Sequence, residues 1–135
     1  MWTCPRCERK FKVTNQSHSC VIKDVGELFL DRSDELVLAF DAIMTAVMQW
    51  QPNEMAAAKH SVVFTNKKAW LIVKPMKKEL DVKFYVREMI HDPLVRKTTS
   101  YGNKHAHHLR VASENQVTSE VVRLLRLGFD YAMED

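Results

Sequence analysis

Residues 80–87 alternate without a break. Leu80, Val82, Phe84 and Val86 are apolar, while Asp81, Lys83, Tyr85 and Arg87 between them are polar or amphipathic. A period of two sends the two sets to opposite faces of an extended strand, so this segment belongs to a sheet with one buried and one open face. Two apolar runs precede it, Val62-Val63-Phe64 and Trp70-Leu71-Ile72-Val73, and only short polar stretches at 65–68 and 76–79 separate the three. Connections of that length join antiparallel neighbours, so residues 61–89 read as a three-stranded meander. A fourth strand, His107-His108-Leu109-Arg110-Val111, follows after a polar connection over 94–104 that reads as a long loop.

Two amphipathic helices complete the expected fold. Ser33 is a good N-cap for a helix whose stripe is Leu36, Phe40, Ile43, Val47 and Trp50, stopped by Pro52-Asn53. Residues 54–59 read as a further helical turn. A last helix over 117–133 carries Val121, Leu124, Leu125, Gly128 and Ala132 on one face. Glycine costs helix stability, so Gly128 predicts close approach to a neighbour. The expectation is an α+β two-layer sandwich over residues 22–135: a four-stranded antiparallel sheet with two main helices.

Residues 1–21 are a separate case. All three cysteines fall there, and with one histidine they spell C-x2-C-x10-H-x-C through Cys4, Cys7, His18 and Cys20. A Cys-Pro-Arg-Cys turn points two thiolates at one ion, and His18 and Cys20, two apart on an extended segment, project to the same side. Three cysteines cannot pair off as disulfides, but with the histidine they complete a tetrahedron. The expectation is a zinc-ribbon-like unit with one structural Zn2+, covered by Trp2 and Phe11 and docked through Val25, Leu28, Phe29 and Leu30. A Cys4–Cys7 redox pair and unrelated surface thiols are the competing readings.

The formal charge of +3 conceals a division. Residues 60–112 carry 11 Lys/Arg against 4 Asp/Glu, whereas 31–59 and 113–135 each carry 2 against 5. The sheet is basic and the helices are acidic, a distribution that suits a polyanion as well as simple solubility. No apolar run approaches the roughly 20 residues of a membrane span and no hydrophobic signal core opens the chain, so a cytoplasmic protein with no membrane partner is expected. Gly26, Gly102 and Gly128 are too far apart for a dinucleotide fingerprint or a Walker loop.

The opening Trp-Thr-Cys-Pro-Arg-Cys and the segment Thr14-Asn15-Gln16-Ser17-His18-Ser19-Cys20 resemble the N-terminal signature of many bacterial members of domain-of-unknown-function family 5655. The order of helix, basic meander, His-rich strand and final helix ending Gly128-Phe129-Asp130-Tyr131 is similar to that family's domain, so the resemblance spans the chain. It implies a small cytosolic domain of unassigned activity, in some members labelled a predicted transport protein and in others attached to restriction-type proteins. A transport role fits poorly with a chain lacking a membrane span. The resemblance brings no catalytic residues with it.

Three functional readings follow from the residues. The first is a binding module for single-stranded nucleic acid on the open sheet face, where parity gathers Trp70, Lys74, Lys83, Tyr85, Arg87, His108 and Arg110: aromatics to stack on bases, cations for phosphates. The second is a homodimer or protein-partner module using the same face, favoured by the apolar Trp70 and Ile72. The third is an enzyme or small-molecule binder, with a pocket formed by Arg96, Lys97, Tyr101, His105 and His107. By parity His105 and His107 extend the buried face and His108 faces out beside Arg110. A histidine base would want a carboxylate, and Asp92 and Asp81 are the nearest candidates. All cysteines being assigned to zinc, and no serine sitting in an elbow, the chain does not read as a nucleophilic enzyme.

Overall fold

A computed structural model of the chain describes residues 2–3, 10–11 and 25–134. The expected zinc ligands Cys4, Cys7, His18 and Cys20 lie outside the described residues, as does the boundary at residue 21. Two short strands, β1 (Trp2–Thr3) and β2 (Lys10–Phe11), pair antiparallel with Trp2 opposite Phe11. A 3-10 turn, Val25–Phe29, leads into α1 (Asp34–Val47). Then come β3 (Glu54–Ala57), β4 (Val62–Thr65), β5 (Ala69–Pro75), β6 (Leu80–Val86), β7 (Lys97–Tyr101), β8 (Lys104–Val111) and α2 (Ser119–Met133).

The α+β class and both main helices agree with expectation, but the sheet has six antiparallel strands rather than four, in the order β3-β4-β5-β6-β8-β7. The two additions are its edges. Residues 54–57 form β3 instead of a helical turn; Glu-Met-Ala-Ala has helix-forming side chains, and pairing with β4 overrides that weak preference. Residues 97–101 form β7 instead of a loop. Lys-Thr-Thr-Ser-Tyr has no aliphatic residue to signal a strand, and the Gly102-Asn103 turn, with Gly102 at φ 62°, folds it back onto β8.

Strand β6 lies inside the sheet and keeps its alternation: Leu80, Val82, Phe84 and Val86 are buried, the residues between them only partly so. Above that face lie both helices. α2 crosses β5 and β6, and α1 packs beside it. Ser33 caps α1, its hydroxyl accepting from Leu36 N–H at 3.3 Å, and Leu36, Phe40, Ile43 and Val47 are buried as the stripe requires. Thr118 caps α2 in the same way through Val121 N–H. Of the apolar segment before α1, Phe29 is buried against Phe40, with ring centroids 5.0 Å apart, whereas Leu30 is 78% exposed.

Gly128 meets its expectation. A Cβ there would stand 3.1 Å from Phe84 Cβ, so the absent side chain is what lets α2 settle onto β6.

Trp70 overturns one. Parity along β5 puts Leu71 and Val73 in the core and Ile72 and Lys74 on the open face, which holds. But Phe64 pairs with Leu71 while Thr65 pairs with Ala69, so Trp70 is the extra residue of an irregular step and is fully buried. Such a step re-aims a side chain across the sheet. Trp70 joins Phe64, Trp50 and Phe129, the last edge-on at 5.3 Å. Its indole N–H donates to Asn53 Oδ1 at 3.2 Å, and Asn53 Nδ2 donates to Val47 O at 3.0 Å, tying the end of α1 to β5.

Four substitutions test this packing by chemical denaturation. Gly128→Val should destabilise by about 1–3 kcal/mol through overpacking on Phe84. Asn53→Ala leaves the Trp70 N–H unpaired in the core, at about 1–3 kcal/mol. Phe84→Asp should prevent folding, and Lys83→Ala should barely register.

Candidate functional site

The register of β6, β8 and β7 lays out the open face in rows. Lys83, His108 and Lys97 stand side by side on three adjacent strands, and Tyr85, Ala106 and Thr99 form the next row. Asp81 and Arg110 lie in the row on the other side, and Tyr101 pairs with Lys104 at the hairpin end. Tyr85 and Tyr101 come from strands that are not neighbours. Their rings meet edge to face at 6.2 Å across β8, where the intervening Ala106 is too small to separate them. Lys104 Nζ lies 4.6 Å from the Tyr85 centroid and Lys83 Nζ 5.4 Å from it. Tyr101 is the more open ring, 48% exposed. Lys83, Lys97 and Lys104 make no ion pair with any described residue.

Beyond these lysines the face is less basic than its composition suggests. Arg110 donates from Nε to Asp81 at 2.9 Å and from Nη1 to Glu79 at 3.2 Å. His108 Nδ1 lies 3.0 Å from both oxygens of Asp81. Two of the expected contacts, His108 and Arg110, are therefore bound up with carboxylates. Arg87 departs from its parity: it lies just past the end of β6 and bonds Glu134 at 3.0 Å, with its guanidinium 5.8 Å from the Tyr131 ring of α2. Lys74 is exposed on the open face as expected, at the β5 end of the Asp81 row. Trp70 is not on this face at all.

The expected pocket of Arg96, Lys97, Tyr101, His105 and His107 does not assemble. Once 97–101 is a strand, Lys97 and Tyr101 share the open face, while His105 and His107 pair with Val86 and Phe84 on the helix-covered side. Arg96 instead lines a 360 Å³ cleft with Leu94, Leu109, Val111 and Thr118. The two core-side histidines hold the chain leaving β6. His105 Nδ1–H donates to Arg87 O at 2.9 Å, and His107 Nε2 accepts from Ile90 N–H at 2.9 Å. His107 is fully buried and stacked on Phe84 at 5.4 Å, and its Nδ1 has no partner among the described residues. Burial holds its pKa below the ordinary value.

Sequence reasoning missed Lys104 and the joining of Tyr101 to Tyr85. The signal was present in Gly102-Asn103, which marks a two-residue hairpin turn. Asp81 was placed on the open face by its parity, yet its partnership with His108 needed the β6–β8 register.

The family model described as Domain of unknown function (DUF5655) matches residues 25–132. The chain belongs to this family. The match covers the sheet and both helices and begins after the Cys/His segment, so membership in DUF5655 rests on the α+β domain and not on the first twenty residues. No curated protein matches the chain. Nor does any solved structure. No helix among the described residues of this DUF5655 domain is long and apolar enough to cross a membrane.

His107 gives the domain a defined response to acid. In the unfolded chain its imidazole takes up a proton near the ordinary 6.5, and in the folded protein it resists protonation to lower pH. Its contribution to stability is therefore complete above 6.5 and declines as pH falls from there towards the depressed folded value. Urea midpoints should drop between about pH 7.5 and about pH 5, and His107→Gln should shrink that drop. An unchanged drop in the variant would assign the effect elsewhere.

Proposed function

We propose that this DUF5655 domain binds single-stranded nucleic acid, with little sequence preference, through the β6–β8–β7 corner of its open face. The observation that carries the reading is the Tyr85–Tyr101 ring pair with Lys83 and Lys104 at the Tyr85 ring and Lys97 in the adjacent row, three lysines that no described carboxylate neutralises. Bases have π-faces that stack on aromatic rings, and a cationic surface tracks the phosphates. Tyr101 is the stacking residue in this reading, because ammonium groups already attend the Tyr85 ring. Fluorescence anisotropy with single-stranded oligonucleotides tests it. Engaging three phosphates gives a slope of log affinity on log salt of about −2, from roughly −0.7 per phosphate. Tyr101→Ala should weaken binding by about 1–3 kcal/mol. Lys77→Ala with Lys78→Ala, in the β5–β6 turn, should do little. No binding at low salt, or equal losses from turn and face variants, would shift the assignment to a protein interface. The partly buried Val63 and Ile72, in the same row as Lys83 on β4 and β5, favour that second reading, a homodimer or protein partner, and a concentration-dependent mass would mark it.

We also propose a structural zinc held by Cys4, Cys7, His18 and Cys20. The antiparallel pairing of Trp2 with Phe11 and Thr3 with Lys10 supports it, since Cys4 and Cys7 fall between these two paired segments in the sequence. Four protein ligands leave no open position on the ion, so its role is to fold the N-terminal unit. Native mass spectrometry should find a single zinc per chain, lost in Cys7→Ser. Reduced protein that stays metal-free when offered zinc would refute the site.

A further inference from the structure

The open face also contains a histidine oriented by a carboxylate. His108 Nδ1 lies 3.0 Å from both oxygens of Asp81. A carboxylate oxygen accepts, so Nδ1 carries the hydrogen and the neutral tautomer this selects has its lone pair at Nε2, which has no partner among the described residues. Asp81 is itself held from its other side by Arg110 Nε at 2.9 Å, and Arg110 by Glu79. The side chains of His108 and Asp81 are 13% and 14% exposed, shielded enough to keep their geometry and open enough to be reached. In the register Lys83 and Lys97 flank His108, one on each neighbouring strand. A network serving the sheet alone would gain from carboxylates at those two positions, and lysines on both sides of a histidine do not serve it.

We propose that His108, positioned by Asp81, is a general base that cleaves single-stranded RNA at its phosphodiesters; this rests on the nucleic-acid reading of the same face. The pair supplies a base and its row supplies no hydroxyl, so the hydroxyl that attacks comes from the substrate. His108 Nε2 takes the proton of a ribose 2′-hydroxyl. The O2′–P bond forms as the P–O5′ bond breaks, and the departing 5′-oxygen takes a proton from water. The products are a 2′,3′-cyclic phosphate and a 5′-hydroxyl, and the proton on His108 returns to solvent. Lys83 and Lys97 face the non-bridging oxygens, where negative charge accumulates in the transition state. Asp81 is a positioning residue: it fixes the tautomer and the plane of the ring.

The test uses the full chain with a labelled single-stranded RNA and the same sequence as DNA, each assayed for binding and for cleavage. RNA should be cut to cyclic-phosphate ends, while DNA, which lacks the 2′-hydroxyl, should be bound and left intact. His108→Ala, purified identically, should lose cleavage by about 100-fold or more, far beyond any loss of RNA affinity. His108→Gln serves if the alanine variant melts early. Asp81→Asn should lower kcat and leave KM as it is. RNA that is bound but never cut, or cut equally by the His108 variants, overturns the dyad and leaves the binding reading standing. Failure to bind either nucleic acid overturns the binding reading, and the dyad with it.

Discussion

The close seat of α2 on β6 is the contact on which the rest of the molecule depends. Gly128 faces Phe84 so closely that a Cβ would stand 3.1 Å from Phe84 Cβ, and that approach brings Val121, Leu124, Leu125, Phe129 and Ala132 down onto the apolar face of the strand. The helix is amphipathic and the strand alternates, so each has one apolar surface, and each can bury it only against the other. α1 then fills the space beside α2. Its far end is fixed by Asn53, which bonds the carbonyl at the helix terminus and the Trp70 indole together.

Committing the apolar side chains to one face leaves the other to charge. On that face the cross-strand rows sort themselves by register. Asp81 and Glu79 absorb Arg110 and His108, while Lys83 and Lys104 gather at the Tyr85 ring and Lys97 stands in the row beside it. Ala106 makes this gathering possible, because a larger residue at that position would part the rings of Tyr85 and Tyr101. The resulting surface has a cationic aromatic corner beside an Asp–His pair, and both features depend on β8 lying between β6 and β7.

The sequence is most readable where burial is one-sided. The period-two pattern of β6, the stripes of α1 and α2, the Ser33 cap and the reason for Gly128 all follow from it. It is least readable at the edges and at the irregular step. β3 and β7 each pair along one side only and need little apolar content, so Glu-Met-Ala-Ala resembles a helical turn and Lys-Thr-Thr-Ser-Tyr resembles a loop. Trp70 escapes because strict alternation carries no trace of an extra residue until the pairing partner is known. The same limit applies to the site. Parity alone names Lys83, Tyr85 and His108 as outward, but whether a cation is free or paired depends on cross-strand register, which brought Asp81 to His108 and Arg110 and sent Arg87 to Glu134.

The central claim is that the lysine–tyrosine corner of the open face is the surface that meets nucleic acid. Amide chemical-shift mapping on the isotopically labelled chain, titrated with a short single-stranded oligonucleotide at low salt, tests it most directly. The account predicts concentration-dependent shifts confined to Lys83, Tyr85, Lys97, Thr99, Tyr101, Lys104, Ala106 and their strand neighbours, with α1 and the outer surface of α2 unmoved. Shifts centred on the helices or spread over every basic turn, or no shifts at all, would contradict it.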